Sequence, residues 1–519
     1  MRFARRFAFV SAAVLVLTAC GERLIFEAST DPTIAPTAVN GTDQSSDSST
    51  EDGTATQAPA TEPGVISWET CTPGTTGTFE CGYLDVPFDY DNPSVGTFSL
   101  YLVRRLADTS SSRIGSMLVN PGGPGFGGTD VAAYAEWYVS DTLMERFDIV
   151  GWDPRGTGKS TPAVDCIDDY DRYFAIDSPP NDAAAKQEMV DLTQEFVDQC
   201  TERNGEMLKY ISTENSARDM DSIRRALGEE QITYFGFSYG SELGATWVTL
   251  FPETVRAAVF DGASDPNASS FDQAVSQLKG FEQQLDAFLA DCAKRPTCAI
   301  YNSGKPAVLF DKLVNDINVK PIPSTGGRTS VTQGVFYTAV VQAMYSNTLW
   351  PQLETALAQA ISGNGAGLLK LYDDYYQRKP DGTYGNELEA FLAISCLDDP
   401  EGSTIAEVDA DIPKFAAAAK RLGENFGYGY ACALWPYRVE SRVKVTGKGA
   451  GPIVVIGTTG DAATPLASTR KAASNLEEGI LIVVEADRHT GYGLNACVVN
   501  RVDTYLLELK TPDNETYCR

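Results

Sequence analysis

Apolar and polar positions along the chain change period several times, and the changes mark out its elements. Residues 7–17 form a predominantly apolar run, followed from Glu22 to about Gly64 by Ser, Thr, Pro, Ala, Asp and Glu. From Trp68 onward strand-like and helix-like patterns alternate. Segments 79–86 and 97–106 predict strands on either side of an Asp91-Asn92-Pro93 turn. The short apolar run 114–119 stops at Pro121-Gly122-Gly123-Pro124-Gly125, and the strand pattern 147–152 stops at Asp153-Pro154-Arg155-Gly156. A helix over 214–227, a strand over 232–237, a helix over 241–250 and a strand over 255–260 follow. This β-then-α alternation predicts an α/β fold with a mostly parallel central sheet and helices on both faces. Between 263 and 393 the strand signal fades, and Phe281, Leu285, Phe288 and Leu289 recur at helical spacing. That segment predicts a helical cap inserted after the strand that follows helix 241–250. Strand patterns return at 452–457 and 479–485, and a helix over 495–509 closes the chain.

The first residues set the compartment. Arg2, Arg5 and Arg6 precede an apolar run too short to span a bilayer, the pattern of a secretory signal peptide. It ends in Leu17-Thr18-Ala19-Cys20-Gly21, which resembles the bacterial lipobox. The expectation is therefore a signal peptide over 1–19 and a lipidated, flexible tether over 20–64, with Cys20 as the lipid carrier. A tether of this composition cannot bury enough apolar surface to offset its ordering entropy. The expected core is split into 65–262 and 394–519, with the cap at 263–393 between them. The destination is the extracellular side of the bacterial cell membrane, with the protein anchored in its outer face or secreted if the anchor is shed.

Composition narrows the chemistry. A formal net charge of −29, from 70 acidic and 41 basic residues, repels phosphate backbones and speaks against nucleic acid as a partner. One His among 519 residues excludes metal sites built from several imidazoles, so no metal and no cofactor are expected. Of 11 Cys, assigning Cys20 to lipid leaves ten, an even number that suits an exported, disulfide-bonded domain. Spacing alone does not decide connectivity. Sequential pairing is favoured because the gaps are short and spread along the chain: Cys71–Cys81, Cys166–Cys200, Cys292–Cys298, Cys396–Cys432 and Cys497–Cys518.

Gly236-Phe237-Ser238-Tyr239-Gly240 matches a tight strand-to-helix turn that presents a nucleophilic serine, with a strand before it and a helix after. A serine hydroxyl needs a base within hydrogen-bond reach. His489, in the loop after the last apolar strand, is the sole imidazole available. Asp461, after strand 452–457, would orient that ring and gives the chain order Ser, Asp, His of the α/β-hydrolase arrangement. Asp261 and Asp487 are its rivals. An oxyanion hole needs two donors: the Tyr239 N–H is one, and the glycine loop after residue 119 supplies the other, with Gly123 preferred to Gly122. Asp153-Pro154-Arg155-Gly156-Thr157-Gly158-Lys159-Ser160 looks like a phosphate-binding loop but has Asp153 where the first glycine belongs. A buried, paired Arg155 is expected there instead.

The segments NPGGPG, GWDPRGTGKS, GFSYGSELGATW, GTTGDAATP and DRHTGYG together resemble the secreted tripeptidyl aminopeptidases of actinobacteria, in the prolyl aminopeptidase branch of the α/β-hydrolase superfamily. The resemblance runs from about Trp68 to the C-terminus. It implies Ser238 as nucleophile, Asp461 and His489 as its partners, and removal of short peptides from free N-termini. Two features depart from the prolyl aminopeptidases: Asn120-Pro121 stands where they carry His, and the cap lacks a clear Gly-Gly-Glu signature. An aminopeptidase must hold an ammonium group, for which Asp398 and Asp399 are candidates, a solvated acidic turn being the other reading. The expected function is an exported serine exopeptidase acting on peptides, with a carboxylesterase or lipase using the same triad as the alternative. A non-catalytic surface lipoprotein is the third reading, opposed by the complete set of nucleophile, base, acid and glycine loop.

Overall fold

A computed structural model describes residues 64–324 and 327–519 of the chain. The signal peptide, Cys20 and all but the last residue of the tether lie outside the described residues. Ten strands form one sheet: β1 (Glu69–Cys71), β2 (Phe79–Pro87), β3 (Thr97–Arg105), β4 (Gly115–Asn120), β5 (Phe147–Trp152), β6 (Ile232–Phe237), β7 (Val255–Asp261), β8 (Ile453–Thr458), β9 (Gly479–Val484) and β10 (Thr516–Cys518). Their order is β1-β2-β3-β5-β4-β6-β7-β8-β9-β10. Pairing is antiparallel from β1 to β5 and parallel from there to β10.

The central strands are continuous apolar runs because helices cover both faces of the sheet. Alternate residues go to opposite sides. Leu118, Val150, Tyr234 and Phe260 join one apolar cluster, while Val119, Ile149, Phe235 and Val259 join the other. Helices Thr213–Ala226 and Tyr239–Leu250 cover the first face, and helix Ala496–Glu508 the second. Ser212 and Asn495 start two of these helices by accepting backbone N–H bonds from Asn215 and Val498.

The helical cap follows β7, beginning with helix Ser270–Lys294, and has its own core around Phe281, Leu285, Phe288, Phe336 and Leu353. The expected boundary at residue 393 falls within a helix. Helix Glu387–Leu397 runs across that boundary because Ala390, Ala393, Ile394 and Leu397 continue the helical spacing. Helical structure persists to Tyr430–Leu434, which the Cys396–Cys432 disulfide ties to helix Glu387–Leu397. The second part of the sheet therefore resumes only at Ile453.

The five disulfides join Cys71–Cys81, Cys166–Cys200, Cys292–Cys298, Cys396–Cys432 and Cys497–Cys518. Two of them fasten the three-residue edge strands β1 and β10, which carry too few residues to show a pattern in sequence. Among the described residues, no helix is long and apolar enough to cross a membrane.

Candidate active site

The site lies at the C-terminal ends of the parallel strands, where loops from several elements meet. Between β6 and helix Tyr239–Leu250, Ser238 holds φ 55° and ψ −127°, a strained conformation for a residue with a side chain. Its N–H donates to the Asp261 carbonyl at 2.8 Å. The two motif glycines are required by contact. A Cβ on Gly236 would lie 2.3 Å from the Gly240 carbonyl oxygen, and one on Gly240 would lie 2.7 Å from the Asn120 carbonyl oxygen. Ser238 is partly exposed while the strand before it is buried, so the turn lifts this residue out of the sheet's core.

His489 and Asp461 come together from the loops after β9 and β8. The imidazole Nδ1 lies 2.9 Å from both carboxylate oxygens of Asp461, with both side chains buried. Asp461 also accepts the Thr464 N–H at 2.8 Å and the Thr464 hydroxyl at 3.0 Å, which fixes its orientation. A carboxylate at Nδ1 sets the ring's tautomer and stabilises its cation. Gly262, held at φ 71°, packs against this ring: a Cβ there would lie 2.9 Å from His489 Cε1. The adjacent residues Asp261 and Gly262 thus touch Ser238 through a backbone hydrogen bond and His489 through van der Waals contact.

The rival acids sit elsewhere. The Asp261 carboxylate accepts the N–H groups of Gly491 and Tyr492, each at 2.8 Å, and burial pushes its pKa up to about 6. It secures the backbone just after His489 rather than the ring itself. Asp487 sits beside Gly460, and its carbonyl accepts the Asn347 N–H.

The glycine loop after β4 is wedged between the turn at Ser238 and the cap. Gly122, at φ 106°, is pressed against the nucleophile turn: a Cβ on it would lie 2.8 Å from Ser238 Cβ and 2.9 Å from the Tyr239 nitrogen. Its own N–H is engaged by Asn120 Oδ1 at 2.9 Å. Gly123 follows, also at φ 106°, and Gly125 packs under the backbone of helix Glu387–Leu397. Tyr239 is anchored through its phenol to the Thr213 hydroxyl, which in turn donates to Asp398 at 2.6 Å. Asp398 is accordingly a half-buried, partnered carboxylate, which also accepts the Thr213 N–H; loss of solvent pushes it up to about 6. Asp399 accepts the Ser270 hydroxyl. Beside them, burial pushes Glu242 up to about 7 despite Arg442 at 3.7 Å.

The loop after β5 is a structural clamp. Arg155 is wholly buried, forked onto Asp219 at 2.8 and 2.6 Å, and bonded to the Phe88 and Tyr210 carbonyls. Two contributions had no prior signal in sequence. Thr464 steadies Asp461 from three residues away, a spacing that a D-x-x-T turn makes legible in hindsight. The cap reaches the base: the His489 N–H donates to the Tyr345 carbonyl at 2.8 Å, and the two rings lie 5.8 Å apart.

Comparison with known proteins bears on the fold family and the class of enzyme. A sequence model of the alpha/beta hydrolase fold family matches residues 115–496. Serine protease Hip1 of Mycobacterium tuberculosis is 34% identical over 459 residues, spanning 84% of this chain and 87% of that protein. Carboxylesterase B of the same organism is 35% identical over 473 residues, spanning 87% and 89%. The tripeptidyl aminopeptidase of Streptomyces lividans, from the group that the motifs resemble, is 30% identical over 471 residues, spanning 87% and 86%.

Proposed function

The chain belongs to the α/β-hydrolase fold family and is a serine hydrolase, and from that premise we propose that it is an exported serine exopeptidase releasing short peptides, tripeptides in the first instance, from free N-termini. The observation that carries the proposal is the buried Asp461–His489 pair at 2.9 Å beside a strained, partly exposed Ser238. Ser238 Oγ attacks the scissile carbonyl while His489 takes its proton. Tyr239 and Gly123 offer N–H groups to the developing oxyanion, Gly122 having committed its own to Asn120. Collapse of the intermediate breaks the C–N bond, and His489 returns the proton to the leaving amine. Water activated by the same imidazole then hydrolyses the acyl-enzyme, freeing the short peptide.

Support for a peptide substrate comes from two relatives, named serine protease and tripeptidyl aminopeptidase. The carboxylesterase relative, equally similar, favours an esterase as the second reading. Turnover of free tripeptide anilides, their N-acetylated forms and nitrophenyl esters separates the two. Preference for the free amine is the expected result, and ester-only turnover overturns it. His489→Ala should abolish fluorophosphonate labelling at Ser238; undiminished labelling would remove His489 from the reaction.

The arginines before the apolar run, the Cys20 motif and five disulfides support export and lipid anchoring at the outer face of the cell membrane. Labelled fatty acid should enter the wild-type chain and not Cys20→Ser; equal labelling of both would overturn the anchor.

A further inference from the structure

Asn120, the first residue of the Asn120-Pro121 pair that precedes the glycine loop, has a physical reading in the structure. Asn120 is the last residue of β4, paired with Gly236 of β6, and is 1% exposed. Its Oδ1 accepts the Gly122 N–H at 2.9 Å, an Asx turn that bends the chain immediately into the glycine loop. On its other side, the same Oδ1 meets the nucleophile turn, lying 2.9 Å from where a Cβ on Gly240 would sit. One side-chain oxygen therefore joins the two backbone segments that flank the developing oxyanion. The amide nitrogen is different: Asn120 Nδ2 is buried and has no hydrogen-bond partner among the described residues.

An unmatched buried donor costs free energy. Aspartate would supply the same acceptor in the same shape without that donor. Hydrogen bonding alone would thus favour a carboxylate at this position, and the desolvation of a buried charge opposes it. Bonded to Gly122, which is pressed against the Tyr239 nitrogen, a carboxylate would oppose the negative charge that forms on the substrate oxygen, in a site where water does not screen it. We infer that Asn120 is a positioning residue of the reaction, whose carbonyl sets the oxyanion loop against Ser238 and whose neutrality keeps that loop receptive to negative charge. This rests on the acyl-transfer reading given above.

The test is steady-state kinetics on a free tripeptide anilide for Asn120→Asp, Asn120→Ala and Asn120→Ser, with thermal midpoints measured alongside. Asn120→Asp should lower kcat by ~100-fold or more with KM changed by less than about 3-fold. It should be slower than Asn120→Ala, although it keeps the acceptor that alanine lacks. A carboxylate buried here also costs stability, so the inference is overturned if Asn120→Asp is faster than Asn120→Ala, or if its loss of kcat only follows its loss of thermal midpoint. Should Asn120→Asp fail to fold, the remaining pair decides. Asn120→Ser, which restores an acceptor, should recover several-fold in kcat over Asn120→Ala, and equal rates for the two overturn the turn-setting role. Full activity in Ser238→Ala would instead sink the acyl-transfer reading itself, so the two failures are distinguishable.

Discussion

At Ser238 the backbone stands at φ 55°, a conformation that costs a non-glycine residue roughly 1–3 kcal/mol and persists because its surroundings hold it. The neighbouring contacts are correspondingly tight. Gly122→Ala would place a methyl carbon 2.8 Å from Ser238 Cβ and 2.6 Å from the Phe237 carbonyl oxygen, at a φ of 106° that alanine rarely adopts. The loop must then retreat from the nucleophile. We expect kcat to fall by on the order of 100-fold while the thermal midpoint moves little, as the loss of one oxyanion donor would do. A kcat within 3-fold of wild type would show that the loop does not serve the reaction. At this scale the sequence was informative where chemistry is rare: one imidazole and one Gly-x-Ser-x-Gly turn left few choices for base and nucleophile. It was silent on Tyr345, whose carbonyl holds the His489 backbone, because any residue has a carbonyl to offer.

At the scale of elements, the clamp at Arg155 ties the end of β2, the loop before helix Thr213–Ala226 and that helix itself to the turn after β5. Both charges of its ion pair are wholly buried, so each depends on the other for compensation. Asp219→Ala should destabilise the protein by about 3–5 kcal/mol in denaturant unfolding, through the guanidinium left behind rather than through lost packing. A change below about 1 kcal/mol would mean that water or a neighbouring carbonyl already satisfies the arginine. The central strands were legible because burial on both faces makes them continuous apolar runs. Helix Ala183–Asn204 was not, since only Met189, Phe196, Val197 and Cys200 of its 22 residues are buried. The border near residue 393 leaves no mark in the sequence for a related reason. Helix Glu387–Leu397 contributes to the same apolar cluster as the sheet helices, so no change of composition marks the border.

The whole molecule carries its acidity inward as well as outward. Burial pushes Asp261 and Asp398 up to about 6, and Glu242 and Glu389 up to about 7, against values near 4 in an unfolded chain. Between roughly pH 4 and 7 the folded protein therefore binds more protons than the unfolded one, and its stability falls as pH rises through that window. Surface carboxylates held low by Arg203 and Arg172 act below it, and self-repulsion from a net charge of −29 adds to the fall. The thermal midpoint should be higher at pH 5.5 than at pH 8, with Glu389→Gln showing a shallower slope. A midpoint that rises toward pH 8 would mean that these carboxylates remain ionised in the fold.

Sequence by itself determined the types of element, the class of chemistry and the candidates for nucleophile and base, because period, composition and scarcity are local properties of a chain. Only the tertiary structure decided which carboxylate meets His489, which glycine meets Ser238, and which apolar cluster helix Glu387–Leu397 joins. Those are distances between residues far apart in sequence, set by how the loops beyond β4, β6, β7, β8 and β9 converge once both faces of the sheet are covered. The one histidine is conspicuous in the sequence; what fits it for the proposed role of base is Asp461, brought to 2.9 Å by packing that no stretch of sequence records.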